Sequence, residues 1–493
     1  MKNIFVALLL SILSFAFLTA EASVVLPKVL SSNMVLQRDK PVAIWGFATA
    51  GTNVIVKFAG QSKASITGEN GKWMVSLDPL IASFEPRDMK ISTAYSDTVL
   101  KNILVGEVWL CGGQSNMEYP MKRELKKYAP PTRGLDYSQI EWVNGGSKKI
   151  RLMQVEKVNS LPDCTSKGWV ECSDSTLAPF SAVGYFFGKN IQEELDVPVG
   201  VISSNWGGSR IERWTPASAY ENSPVFAAEA AEKPVKINNI DAGLHFNSMI
   251  APLGPYTLRG FIWYQGESNA MIHDTRYVEE TQLMLDSWRK VFNNPDAPLY
   301  FVQIAPYYYS KRKDKLAHTP ETMAEFCELQ SKCLLIPKTG QAIVTDLVDN
   351  PADIHPSYKW EVGRRLSLLA MSVTYGKKNL VYSGPVVKSM KVKMNRLIVV
   401  FNNIGAGLTA GKRNSETNSF EAISDKQLNW FEIAGEDGVY YPADAVISGK
   451  KVLVSNEKVT KPKHLRFAWN ELAMPDFYNK EGLPATPFRM SVK

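Results

Sequence analysis

The chain has 493 residues, of which 45% are hydrophobic, 11% aromatic and 21% charged. This composition belongs to packed cores and excludes a disordered chain, and the length asks for about three domains. The net charge of +7 is carried by scattered lysines and arginines. The one dense basic run, Lys311 to Lys315, reads as a solvated loop, so no nucleic-acid partner is expected. There is no CxxC and no HExxH among the residues, so neither a metal nor a cofactor is expected.

In chain order, residues 1–22 begin with Lys2, continue through an apolar run from Ile4 to Leu18 and end in Ala20-Glu21-Ala22. This is the pattern of a secretory signal peptide. No second apolar run of membrane length follows, and no cysteine follows the first, so the mature chain is expected to be secreted or periplasmic with no membrane span. In an oxidising compartment the close pairs Cys164/Cys172 and Cys327/Cys333 are expected to form disulfides, leaving Cys111 alone.

Residues 23–102 show short alternating runs, such as Val54-Ile55-Val56-Phe58, separated by Gly51, Gly60, Gly68 and Gly71, which predicts a small β-sandwich domain. Residues 103–378 change rhythm. Strands are expected at Lys149–Val155, Pro198–Ser204, Leu258–Tyr264, Pro298–Ile304 and Gln341–Leu347. Between and after them, Val183, Phe186, Phe187, Ile191 and Leu195 share one helical face. Tyr277, Thr281, Met284, Leu285, Trp288, Val291 and Phe292 share another, and Val362, Leu366, Leu369 and Val373 a third. Strands alternating with helices signify a parallel sheet covered on both faces. Residues 379–493 return to strand patterns and are expected to form a second β-rich domain.

Within the middle region, Val105 to Met117 is an apolar strand pattern that stops at Gly112-Gly113 and delivers Ser115, the candidate nucleophile. A nucleophile elbow of α/β-hydrolase type places glycine two residues before and two after its serine. Gly113 meets that rule, but Met117 does not. Three further turns follow predicted strands: Trp206-Gly207-Gly208-Ser209-Arg210, Gln265-Gly266-Glu267-Ser268-Asn269 and Asp353-Ile354-His355-Pro356. In an open parallel sheet such turns meet in one crevice. Of the five histidines, His355 alone combines a loop after a strand, a nearby carboxylate and a following proline, so it is the candidate general base.

Gly-Gln-Ser-Asn-Met at 113–117 resembles block I of the SGNH hydrolases in the form used by their sialate O-acetylesterase branch. Gly207-Gly208, the Gln265 turn and the His355 loop are similar to blocks II, III and V, in the same order. The opening run Leu36 to Pro41 and the end, Tyr478 to Arg489, also resemble that family, so the likeness spans almost the whole mature chain. It implies a flavodoxin-like three-layer α/β/α domain with a parallel sheet, flanked by β-sandwich domains. It also implies a serine esterase that removes O-acetyl groups from carbohydrates, most of all from O-acetylated sialic acids. The oxyanion would be held by the backbone N–H groups of Ser115 and Gly208 (or Gly207), with the resemblance pointing to the Gln265 side chain as third donor. Asp353 is the first choice for the acid behind His355, with Asp346, Asp349 or no acid at all as alternatives. Arg210 is expected to grip a sugar carboxylate beside Trp206 and Trp214, and Asn116 to line the same site. Two other functions stay open at this level: an acetyl esterase for neutral plant or microbial glycans, and a glycan-binding protein without catalysis.

Overall fold

The computed structural model describes residues 23–123, 127–158, 163–314, 316–424 and 427–492. The signal-peptide pattern at 1–22 lies outside the described residues. Six parallel strands form the centre: β1 (Asp97–Gly113), β2 (Ile150–Gln154), β3 (Val199–Asn205), β4 (Gly260–Tyr264), β5 (Leu299–Val302) and β6 (Thr339–Ala342). Their spatial order is β6-β5-β4-β1-β3-β2, with the strand Trp169–Glu171 added antiparallel at the β2 edge. From β1 the chain crosses to β2, fills in β3 between the two, and then builds outward on the other side through β4, β5 and β6. This puts the reversal of strand order at β1, where open α/β sheets bind their ligands.

Alternation along β1 explains why it is central. Trp109 and Cys111 face one layer, where helices Ala182–Leu195 and Lys359–Leu369 pack together, and Val108 and Leu110 face the layer of helices Tyr277–Val291 and Thr322–Lys332. Buried on both faces from Ile103 onward, that half of the strand is apolar at every position but Glu107 and its glycines. The same strand begins in a different sheet. Its first half pairs antiparallel with Ser83–Ser92, which in turn pairs with Asn53–Phe58, and Val35–Gln37 lies parallel to β1 at Leu104–Gly106. β1 therefore runs straight through the expected boundary at 102/103. The hydrophobic core is continuous from Val29 and Trp73 in the amino-terminal strands to Trp288 in the α/β layer.

From Val386 onward the chain forms antiparallel sheets of five, four and three strands around their own core of Val399, Phe431, Phe467 and Phe477. Arg413 from this region donates to Asp346 at 2.8 Å and ties it to the α/β unit.

Three expectations need correction. All five cysteines are free and buried. Cys164 belongs to the core on one side of the sheet and Cys172 to the core on the other, so strand Trp169–Glu171 separates them. Cys327 and Cys333 are six residues apart on one helical path, which turns them to different sides. Cys327 Sγ points to the Ile304 carbonyl and Cys333 Sγ to the Thr281 hydroxyl. The strand expected over Gln341–Leu347 pairs only over Thr339–Ala342 and then leaves the sheet, with Arg365 taking the Ile343 carbonyl. Val373 does not continue the buried face of Leu366 and Leu369. The helix widens into a π turn at Ala370–Thr374, which shifts the phase and leaves Val373 50% exposed.

Candidate active site

The strand register assembles the site. Gly113 at the end of β1 is level with Asn205 of β3 and Tyr264 of β4. The turns that follow these three strands therefore start side by side. Gly113 has φ of +145°, and a Cβ there would come within 2.2 Å of the Tyr264 carbonyl oxygen. Only glycine fits, and the sharp exit lets Ser115 open the one-turn helix Ser115–Glu118 at the edge of the sheet.

His355 reaches this serine from the loop after β6. Its Nε2 lies 3.0 Å from Ser115 Oγ, and its Nδ1 lies 3.2 Å from Asp353 Oδ1. The His355 backbone N–H also donates to Asp353 Oδ1 at 2.9 Å, and the Tyr128 ring packs edge-on at 5.1 Å. Burial works against the Asp353 carboxylate, but the hydrogen bonds from the His355 ring and backbone hold it below the usual carboxylate range. The other two acids considered are engaged elsewhere. Asp346 binds Arg365 and Arg413, and Asp349 binds Arg133 and Tyr358. The structure brings Asp353 to the histidine and keeps those two away.

Around Ser115, the Gly207 N–H donates to the Glu118 carboxylate at 2.5 Å. The N–H groups of Ser115 and Gly208 meet no acceptor among the described residues. Gln265 is fully buried: its amide N–H₂ faces Asn269 Oδ1 at 2.7 Å and Gln114 Oε1 at 3.2 Å, and its oxygen accepts from the Tyr277 hydroxyl at 2.9 Å. The Gln265 amide thus braces the turn that carries Ser115. Asn116 also points inward, donating to Glu267 Oε1 and to the Ile354 carbonyl and so pinning the histidine loop to the serine turn. Arg210 donates to the Asn238 carbonyl at 2.6 Å and lies 3.4 Å from Glu212. Trp206 stacks on His245 at 4.4 Å, and Trp214 is buried behind them.

Sequence reasoning passed over two buried titratable groups behind this constellation. Lys359 donates to Asn116 Oδ1 at 2.6 Å and lies over the Tyr119 and Tyr264 rings, 4.8 and 5.2 Å from their centroids. Burial lowers its amine to about 7. Glu267 keeps one carboxyl oxygen without a partner among the described residues, and burial raises its carboxyl despite the Asn116 hydrogen bond and the nearby lysine. A signal was present in the sequence: Lys359 sits at helical spacing with Val362 and Leu366, a charge on an apolar stripe.

An open parallel sheet with a serine, a histidine and an aspartate in contact at its carboxyl edge has the constellation that serine hydrolases use. A family model described as carbohydrate esterase, sialic acid-specific acetylesterase, matches residues 105–357, and the chain belongs to that family. The chain is similar to a carbohydrate acetylesterase from Xanthomonas citri, at 31% identity and a TM-score of 0.80, covering 96% of this chain and 100% of that one. It is 28% identical to the sialate O-acetylesterase of Rattus norvegicus, over 80% of this chain and 82% of that protein. The figures for the sialate O-acetylesterase of Homo sapiens are 26%, 93% and 91%. The chain is therefore an esterase that removes O-acetyl groups from carbohydrates. No helix among the described residues is long and apolar enough to cross a membrane.

Proposed function

We propose that this protein is an exported serine esterase acting on O-acetylated sialic acids, with Ser115 as nucleophile, His355 as general base and Asp353 as its orienting acid. The observation that carries the site assignment is the run of contacts from Ser115 Oγ through His355 to Asp353, at 3.0 and 3.2 Å. Export rests on the pattern of residues 1–22, and the sialic acid preference is supported by the activity for which the rat and human relatives are named.

His355 Nε2 takes the proton from Ser115 as Oγ attacks the acetyl carbonyl carbon. The resulting oxyanion is met by the Ser115 and Gly208 N–H groups, which have no acceptor among the described residues to give up. As the intermediate collapses, the C–O bond to the sugar breaks and the sugar oxygen takes the proton from His355. Water then repeats the sequence: His355 accepts its proton, the hydroxide oxygen attacks the acetyl-serine, and the proton returns to Ser115 as acetate leaves. Asp353 holds Nδ1 protonated so that Nε2 presents a lone pair to the serine. Gln265, Asn116 and Arg210 act from behind, holding the three loops in place.

The test is labelling with a fluorophosphonate probe, read by mass spectrometry, together with acetate release from an O-acetylated sialic acid. A single adduct on Ser115 is expected, lost with activity in Ser115→Ala. Labelling at another serine, or esterase activity surviving in that variant, would remove Ser115 from the role.

A further inference from the structure

Beside Gly208 the loop after β3 borders a cavity of about 330 Å³, lined by Trp206, Arg210, Arg213, His245 and Met271 among others. It adjoins the nucleophile, since a Cβ on Gly207 would lie 3.4 Å from that of Ser115. Two arginines share this wall, and they differ. Arg210 is committed to Glu212 and to the Asn238 carbonyl. Arg213, on the 3₁₀ turn Ile211–Trp214, is half-buried, and its guanidinium makes no hydrogen bond and no ion pair with the described residues.

Trp206 and His245 are stacked at 4.4 Å with their planes 13° apart, and His245, only 1% exposed, has an Nδ1 without a partner among the described residues. Burial first and the Arg213 charge second hold that imidazole at about 3, so it adds no second positive charge beside the guanidinium. A half-buried cation in the wall of this cavity has given up water without gaining a counter-charge among the described residues, and that calls for an anionic ligand. The planar fork of a guanidinium matches a carboxylate through two parallel N–H···O bonds.

We infer that Arg213 holds the carboxylate of the sugar whose acetyl group Ser115 attacks, with the stacked Trp206–His245 pair carrying the apolar face of the ring. The inference rests on the sialate reading and names the residue that would enforce it. Arg210, one turn earlier, keeps the loop in shape.

The experiment compares kcat/KM for an O-acetylated sialic acid and for its C1 carboxamide, which has the same shape without the charge. Wild type is expected to favour the acid by about 10- to 100-fold, the range of a hydrogen bond to a charged group. Arg213→Gln is expected to lose that preference, mainly through KM, and Arg213→Lys to recover part of it. A wild-type preference that persists in Arg213→Gln, or an equal loss on both substrates, overturns the role of Arg213 and leaves the sialate reading standing. A wild type that treats acid and carboxamide alike overturns the sialate reading itself.

Discussion

Glu107 and Glu267 are buried in the same central layer, the first where β1 enters its parallel register and the second just past the carboxyl end of β4, and their surroundings are opposite in kind. Glu107 accepts from Arg38 at 2.6 Å, from Arg259 at 2.8 and 2.9 Å, from Gln37 at 3.0 Å and from the Tyr375 hydroxyl at 3.0 Å. Burial alone would raise its carboxyl, but the two guanidinium groups and Gln37 hold it below the usual range. These partners come from the amino-terminal strands, from the start of β4 and from the end of the last helix, so one ionised carboxylate joins three parts of the chain. Glu267 accepts from one side chain among the described residues, Asn116, and burial pushes its carboxyl up. At the amino end the buried charge is compensated and serves stability. At the carboxyl end compensation is left incomplete, where a substrate and a changing charge must be accommodated.

Three substitutions can break or sharpen this contrast, and the largest effect is expected at the catalytic edge. Asp353→Asn should lower turnover about 10⁴-fold, as loss of the orienting acid does when the wrong histidine tautomer results. Its melting temperature should change little, because the site is open and Asp353 ties no distant segments together. A loss below tenfold, with collapse in Asp349→Asn instead, moves the acid to that residue.

Glu107→Gln should do the reverse, costing roughly 2–4 kcal/mol of stability by leaving two arginines without their shared carboxylate. Activity per folded molecule should stay near wild type. Because the folded carboxyl is depressed, its contribution is complete above the ordinary carboxylate range and is lost as pH falls through the folded value. The deficit of the variant should therefore shrink in acid, as followed by urea melts from pH 7 down to pH 3. A deficit independent of pH would show that packing, not charge, is at stake.

Glu267→Gln should have the smallest effect, under about 1 kcal/mol near neutrality, because the amide is isosteric with the protonated acid favoured by burial. Its pH dependence has the opposite sign. A carboxyl raised in the folded state contributes below the unfolded value and loses that contribution as pH rises through the folded one, so the variant should gain on wild type above about pH 4.3. Parallel slopes for the two glutamine variants would erase the distinction between the two ends of the sheet.

Much of this was legible in the sequence, and the parts that were not share a cause. The helices Ala182–Leu195 and Tyr277–Val291 and the strand that delivers Ser115 stand where the periodicity put them, because burial on one face or on two leaves a pattern within a few residues. The overlap of the amino-terminal sheet with the catalytic sheet was not visible. A single strand of 17 residues serves both, and apart from Glu107 its side chains are apolar throughout the half where they meet. The cysteine pairs were misread because closeness in sequence says nothing about which side of a sheet, or of a helix, each thiol faces.

The sequence by itself determined the order of strands and helices, the glycines that let Ser115 emerge from β1, and the candidacy of Ser115 and His355, since each depends on neighbours along the chain. Only the tertiary structure decided that Asp353 rather than Asp346 or Asp349 stands behind the histidine. It likewise decided that Gln265 braces the serine turn, and that Arg210 is engaged while Arg213 has no partner among the described residues. Those outcomes depend on groups brought in from far away, such as Arg413 at Asp346 and Asn238 at Arg210. A charged side chain is available for chemistry only if no such group has already neutralised it, and that is settled by packing in three dimensions.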